Sequence, residues 1–387
     1  MDFEFSDEQR LLTDSARAFA ARELTPHAAE WDREQQFPVE VIRRAAEQGY
    51  LALYLREEDG GLGLSRLSSS LIFEQLAAGC VATTAYLTIH NMATWMLASF
   101  SDQALKDAWL PGLINGQSLA SYCLTEPDAG SDAAHLRTRA RRDGGDYVID
   151  GSKCFISGAG STQVLIVMAR TGEDGAKGIS CFLVPADAPG VRYGRNEDKM
   201  GWKAQPTRTI TFEGVRIPAN NRIGPEGEGF VYAMKGLDGG RLNIASCSLG
   251  AAQAALEQSL RYVEERKQFG KALSEFQALQ FKLADMLTSL TASRQMVRLA
   301  AHKLDHGHGE ASLYCAMAKR FATDQCFDVC NEALQLHGGY GYLNDYPLER
   351  WVRDARVHQI LEGTNEIMRV IVARRLFLQG GMLDRLL

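Results

Sequence analysis

A block of short strand-like runs, set between two long helical stretches, constrains this chain more than any other feature. From about residue 119 to 226, glycine and threonine become frequent, and runs at 146–151, 164–169, 179–184 and 207–212 read as strands separated by turn signals. No convincing helix intervenes there, which predicts a β-sandwich or barrel-like domain. Residues 1–118 read as helices. Ser6-Asp7-Glu8-Gln9 has the form of a capping box opening a helix that runs to about Leu24, and Pro38 opens another that ends near Gly49. After a turn-rich loop at 57–63, further helices are predicted near 66–79, 83–100 and 102–115. From 227 to 387 long helices return, at 228–265, 274–306 and 310–336, with shorter pieces at 347–355 and 365–378. Their apolar residues recur at helical spacing, as in a bundle. The expectation is an α+β chain of three domains, 1–118, 119–226 and 227–387.

Composition narrows the function. A net charge of −6 over 387 residues argues against a dedicated nucleic-acid binder. No run of 18 uncharged apolar residues occurs, so no membrane-spanning helix is expected. The start, Met1-Asp2-Phe3-Glu4, has neither a basic signal-peptide region nor the Arg-rich character of a transit peptide, which predicts a bacterial-type cytoplasm, or the mitochondrial matrix for a processed chain. The eight cysteines form no CxxC pair and read as buried, reduced thiols; Cys326 and Cys330 would share a helix face, where a redox pair is the alternative.

Several common sites are absent. There is no P-loop, no GxGxxG between a strand and a helix, no GxSxG elbow and no HExxH. His302, His306 and His308 read as a solvated helix end marked by Gly307 and Gly309, with a metal site as the alternative. What remains is a set of glycine-punctuated polar segments at the joints of the three parts. The Tyr122–Asp132 segment leads from an extended start into small residues and hydroxyls, a loop that suits a planar ring, a phosphate or an ordinary turn. Phe155-Ile156-Ser157-Gly158 could cover a flat cofactor or simply end a strand. Asp238-Gly239-Gly240-Arg241 places two glycines in a helix at about 1 kcal/mol each relative to alanine, so a helix or a ligand must approach closely there. Arg266-Lys267 closes a long helix, as a dipole partner or a diphosphate ligand. Glu362 follows an apolar run, so burial should raise its pKa and make it a better base near neutrality, unless it is a solvated loop residue. Thr364 reads as the N-cap of the last helix.

Taken in order, these segments resemble the acyl-CoA dehydrogenase family over essentially the full length. The Tyr122–Asp132 segment resembles its first signature. Lys199-Met200-Gly201-Trp202, Pro206-Thr207 and Phe212-Glu213-Gly214-Val215 resemble its middle domain. Arg266-Lys267-Gln268-Phe269-Gly270, His337-Gly338-Gly339-Tyr340-Gly341 and Glu362-Gly363-Thr364-Asn365-Glu366 resemble its second half. Residues 155–160, 205–208 and 243–250 carry a closer match to its short branched-chain branch.

The resemblance implies an N-terminal helical domain, a middle β-domain and a C-terminal four-helix bundle. It implies FAD, a homotetramer built as a dimer of dimers, and electron-transfer flavoprotein as electron acceptor. Tyr122, Leu124, Thr125, Phe155, Ile156 and Ser157 would surround the flavin ring, with Ser131 near the flavin and the CoA moiety. Arg266, Phe276, Gln277, Gln335, Gly338 and Gly339 would meet the diphosphate and adenosine, whose end reaches a neighbouring subunit; Thr364 and Glu366 would also touch FAD. Asp238, Arg241, Gly363 and Arg374 match substrate positions. Glu362 would remove the α-proton of a short, α-branched acyl-CoA while the β-hydride passes to flavin N5. The thioester oxygen would accept hydrogen bonds from the Glu362 N–H and a ribityl hydroxyl. In other branches the base stands at the helical position that Gly240 occupies, and a glycine cannot serve. Two departures stand out: Asp128 replaces a usual glycine, and Phe155 a common tryptophan, which the branched-chain branch also lacks. An oxidase of the same fold and a non-catalytic flavin- or acyl-CoA-binding protein are the rival readings.

Overall fold

A computed structural model describes residues 4–378; the outer limits expected at residues 1 and 387 lie outside them. The helical first part contains α1 (Asp7–Phe19), α2 (Ala28–Glu34), α3 (Val39–Glu47), α4 (Arg66–Gly79), α5 (Val81–Phe100) and α6 (Gln103–Ile114). Ser6 and Gln9 form the expected reciprocal cap, and a π-helical turn, Ala20–Leu24, carries the first helix to its expected end. The short α2 was not legible: it buries only Ala28 and Trp31, too few positions for a helical period to show.

The middle part is one curled sheet of β1 (Ala120–Cys123), β2 (Arg139–Asp143), β3 (Asp146–Ser157), β4 (Val164–Arg170), β5 (Ile179–Pro185), β6 (Val191–Tyr193), β7 (Thr207–Pro218) and β8 (Arg222–Ile223). The order is β6-β7-β3-β2-β4-β5-β8, with β1 parallel to β4. Strand β4 reads as an unbroken apolar run because both faces are buried. Leu165, Val167 and Ala169 join the core inside the curl with Tyr147 and Phe212, while Val164, Ile166 and Met168 face Met96, Leu110 and Leu237 from the helices. The curl brings β3 over β5, where the Tyr147 and Phe182 rings meet edge to face at 4.9 Å.

Three long helices follow, α7 (Gly229–Glu265), α8 (Gln277–Asp305) and α9 (Ala311–His337), and two shorter ones, α10 (Leu348–His358) and α11 (Asn365–Leu378), pack on α9. Helix α7 is the axis of the molecule. It is buried without a break from Gly239 to Ala252, and its small residues admit α4 so closely that a Cβ at Gly250 would collide with the Glu74 carbonyl.

One buried knot ties the sheet to α7 and α10. Trp202, in the β6–β7 connection, donates its backbone N–H to Asp354 Oδ1 (2.6 Å) and its indole N–H to His358 Nε2 (3.1 Å). An indole can only donate, so His358 carries its proton on Nδ1 and donates it to Ser248 Oγ at 2.7 Å. Burial holds this imidazole neutral, with its pKa pushed down to about 3. Four residues beyond His358 comes Glu362, so the knot fixes the take-off point of the loop that carries it.

Candidate active site

Glu362 lies in the short link between α10 and α11, in the left-handed region at φ +54°, and Gly363 follows at +90°. A side chain at 363 would come within 2.6 Å of Met368 Cε. Thr364 caps α11 as expected, its hydroxyl accepting from the Ile367 N–H at 3.2 Å. The Glu362 carboxylate turns to α7 and fills the space that a side chain at Gly240 would need; a Cβ there would overlap Oε2. At Gly239 a Cβ would overlap the Arg66 guanidinium. The two glycines of the helix therefore make room for two charged side chains, one of them the expected base.

The residue as a whole is half-buried, but Oε2 is sealed from solvent and has no hydrogen-bond partner among the described residues. Burial raises the carboxyl to about 7, against the opposing pull of Lys319 and Arg241. Arg241 is anchored by Asp238 Oδ1 at 2.6 Å, and Asp238 also accepts from the Ser312 hydroxyl. The Tyr122 hydroxyl is buried without a partner, and its pKa is pushed well up by burial, with Glu362 adding to the effect. Tyr54 receives the Asn243 amide at 3.2 Å and lies under the Arg66 guanidinium, 3.5 Å from its ring centre.

The expected ring-binding residues come together at one edge of the sheet. Thr125 O accepts from Cys154 N–H at 2.9 Å, which sets the end of β1 beside the end of β3. A β-bulge between Lys153 and Ile156 places Phe155 at φ +59° and turns its ring outward, 70% exposed. Ile156 and Leu124 bury their side chains in cores, so only their backbones are left for a ligand. Lys153, fully buried, donates to Leu124 O (2.9 Å) and Glu126 Oε1 (2.7 Å), holding the start of this loop from beneath. Ser157 ends β3 and Ser131 is exposed on the loop. Asp128 keeps an ordinary negative φ, so the usual glycine is not required conformationally, and it pairs with Arg137 at 3.3 Å.

A second set gathers far from the first. Arg266, Gln335, Gly338, Gly339, Tyr262 and Tyr340 line an open cleft of about 940 Å³, with Phe276 and Gln277 at the foot of α8 beside it. A Cβ at Gly338 or Gly339 would meet nothing within 4 Å. Gly240 and Tyr262 are about 33 Å apart along α7, at 1.5 Å per residue. The structure does not bring Glu366 or Arg374 to either set: Glu366 is exposed with Arg369 3.7 Å away, and Arg374 is exposed on α11.

Every cysteine is buried and free, and the described residues hold no group of three metal-ligating side chains, at the 302–308 histidines or elsewhere. No described helix is long and apolar enough to cross a membrane. Sequence reasoning missed Lys319, Arg66 and the Lys153–Glu126 pair. For Lys319 a signal existed, a lysine on the same helix face as Cys315, Ala322 and Cys326.

An acid sealed against a gap in a helix, beside a sheet edge with an unpartnered hydroxyl and an outward aromatic ring, is the candidate active site of this three-part chain. The chain belongs to the acyl-CoA dehydrogenase family. The family's N-terminal domain matches residues 6–117, its middle domain 121–215 and its C-terminal domain 227–377. The chain is 52% identical to the mitochondrial isobutyryl-CoA dehydrogenase of Bos taurus, over 96% of this chain and 89% of that one. Its fold is similar to the butyryl-CoA dehydrogenase of Megasphaera elsdenii, with TM-score 0.94, 37% identity and coverage of 97% and 100%. It is similar as well to a chain solved in work on the electron transferring flavoprotein of Acidaminococcus fermentans, with TM-score 0.95, 39% identity and coverage of 97% and 99%.

Proposed function

We propose that this protein removes two hydrogens from the α and β carbons of a short, α-branched acyl-CoA, isobutyryl-CoA first, giving methacrylyl-CoA, with Glu362 as the base. One observation carries the reading: a carboxylate with a sealed, unpartnered oxygen, raised to about 7, in the gap left by Gly240. An acid poised near neutrality is half ionised at working pH and matched to a weak carbon acid. The substrate class rests on the similarity to isobutyryl-CoA dehydrogenase.

Glu362 takes the α-proton, and the hydrogen on the β carbon leaves with its electron pair. FAD, when bound, supplies the acceptor for that pair. Its ring fits the edge formed by Tyr122, Thr125, Phe155 and Ser157, where a buried hydroxyl lacks a partner. The Glu362 N–H is the chain's own donor for the thioester oxygen, and one such preorganised donor contributes roughly 2.7–4 kcal/mol in the transition state. Asp238 fixes Arg241 beside the substrate path. The diphosphate and adenosine fit the open cleft at Arg266, Gly338 and Gly339. That cleft lies about 33 Å along α7 from the gap that Glu362 fills, which supports a cofactor held between two copies of the chain; an assembly of four as the working state rests on the family resemblance alone. Electrons then pass to an electron-transfer flavoprotein.

Anaerobic mixing with isobutyryl-, 2-methylbutyryl-, butyryl- and isovaleryl-CoA tests the reading. Isobutyryl-CoA should bleach the flavin fastest, and Glu362→Gln should keep a yellow flavin yet lose about 10⁴-fold in bleaching rate. A wild-type rate in Glu362→Gln overturns the base, and a clear butyryl-CoA preference overturns the substrate. The acid limb of kcat/KM should fall near pH 7, because only the ionised base accepts the proton.

A further inference from the structure

Lys319 stands where α9 presents an apolar face. It shares that face with Cys315, Ala322 and Cys326 at helical spacing, and all four are fully buried. A buried ammonium is costly unless it is held. This one donates to Gly363 O at 2.8 Å and Asn365 Oδ1 at 2.9 Å. Both partners belong to the loop that carries Glu362. Asn365 in turn donates to Thr323 Oγ1 (2.9 Å) and Asp324 Oδ1 (2.7 Å), so the loop is stitched to α9 over more than one turn.

We propose that Lys319 is the positioning residue of the base: it pins the turn after Glu362 to α9 and sets a positive charge behind the carboxylate, favouring its ionised form and aiming it before substrate arrives. The inference rests on Glu362 being the base.

Two features of the structure support this. Glu362 sits at a positive φ, a conformation that persists only where the surroundings over-determine it, and the ties from Lys319 and Asn365 do so. The second is electrostatic. Facing Glu362 are Arg241 and Cys247 from α7, Lys319 from α9, Tyr122 from β1 and Tyr54 from the loop after α3. Only Arg241 and Lys319 carry positive charge, and burial lowers the lysine to about 8 against the pull of Glu362, so it is charged where the base titrates. Arg241 is paired with Asp238, which cancels much of its field, whereas both hydrogen-bond partners of Lys319 are neutral. Asp324, an acid one turn along α9, is engaged by Arg320 and Arg369, and Glu366 is exposed beside Arg369. His358, nearby on α10, is neutral. Lys319 is thus the less compensated of the two cations acting on the base.

The test separates charge from scaffolding. Lys319→Gln keeps a donor for the Gly363 carbonyl and removes the charge, while Lys319→Arg keeps the charge. Two readouts are followed: the acid limb of kcat/KM, and the pH titration of the Glu362 carboxyl stretch by difference infrared in holoenzyme without substrate. In Lys319→Gln both should move up by about one pH unit, and in Lys319→Arg both should stay within a few tenths. If Lys319→Gln does not accumulate as folded protein, Lys319→Met gives the same reading, since it matches the stem without charge. A Gln or Met variant that only turns over more slowly, with limb and infrared titration unmoved, overturns the proposal and leaves Lys319 a structural peg. An equal shift in Lys319→Arg overturns it too. The infrared band is assigned as the part lost in Glu362→Gln, because buried Asp354 is also raised to about 7; if Glu362→Gln keeps the wild-type rate and acid limb, the base assignment itself fails, a result distinct from an unmoved limb in the lysine variants.

Discussion

The two ends of α7 teach opposite lessons about the same helix. Near Gly240 everything is closed: the Glu362 carboxylate fills the gap in the helix, Arg241 is paired, and Lys319 is tied to the loop. Near Tyr262 and Arg266 everything is open: glycines face empty space, and Phe269 is 94% exposed. The first end has its charges positioned by one chain. The second is an open cleft lined by Arg266, Gln335, Gly338 and Gly339. A site that does acid–base chemistry must be dry and rigid before the substrate comes, whereas a site that grips a long cofactor can be completed by another copy.

That contrast can be tested from either end, and the largest effect is expected at the closed one. Gly240→Ala should leave the fold intact, because alanine is the better helix former, yet its methyl group displaces the carboxylate. Flavin reduction should slow about 100-fold, as for a misplacement of about 1 Å, with the flavin spectrum unchanged. At the open end, Arg266→Ala should weaken FAD binding by about 10- to 100-fold, the loss of one charge-assisted phosphate contact, measured by reconstitution fluorescence. Its acid limb should not move, since nothing at the closed end has changed.

A smaller effect concerns stability. Burial holds the folded-state pKa of Glu362 at about 7, above the ordinary 4.5. Between those values the folded chain binds the proton more tightly than the unfolded chain, so stability falls as pH rises through the window. Glu362→Gln lacks that loss. At pH 8 it should resist urea by about 3 kcal/mol more than wild type, and near pH 4 the two should unfold alike. The smallest effect belongs to Asp128→Gly. An exposed pair with Arg137 and an ordinary backbone predict a change within about 0.5 kcal/mol and an unchanged flavin spectrum.

Much of this could be read in the chain itself. The long helices showed through their period, the first capping box through four residues, and the buried strands through runs such as Val164–Arg170. Helix α2 and the short strands β6 and β8 did not show, because two or three residues carry no period. At the site, Glu362, Gly240 and Thr364 stood out because acids, glycines and caps have local meanings. Arg66 and Lys153 had none: Arg66 is placed by the Tyr54 ring and the gap at Gly239, Lys153 by Glu126, and none of these is a neighbour within a few residues.

Local spacing, then, determined which segments are helix or strand, their order, and that an acid follows an apolar run near the end of the chain. Only the tertiary structure decided that this acid would meet a gap in a helix 122 residues earlier, one that lies about 33 Å along that helix from the open cleft, and that it would lie between a lysine with neutral hydrogen-bond partners and a paired arginine. Period and capping act over a few residues, whereas desolvation and charge pairing depend on what the folded chain brings within a few ångströms.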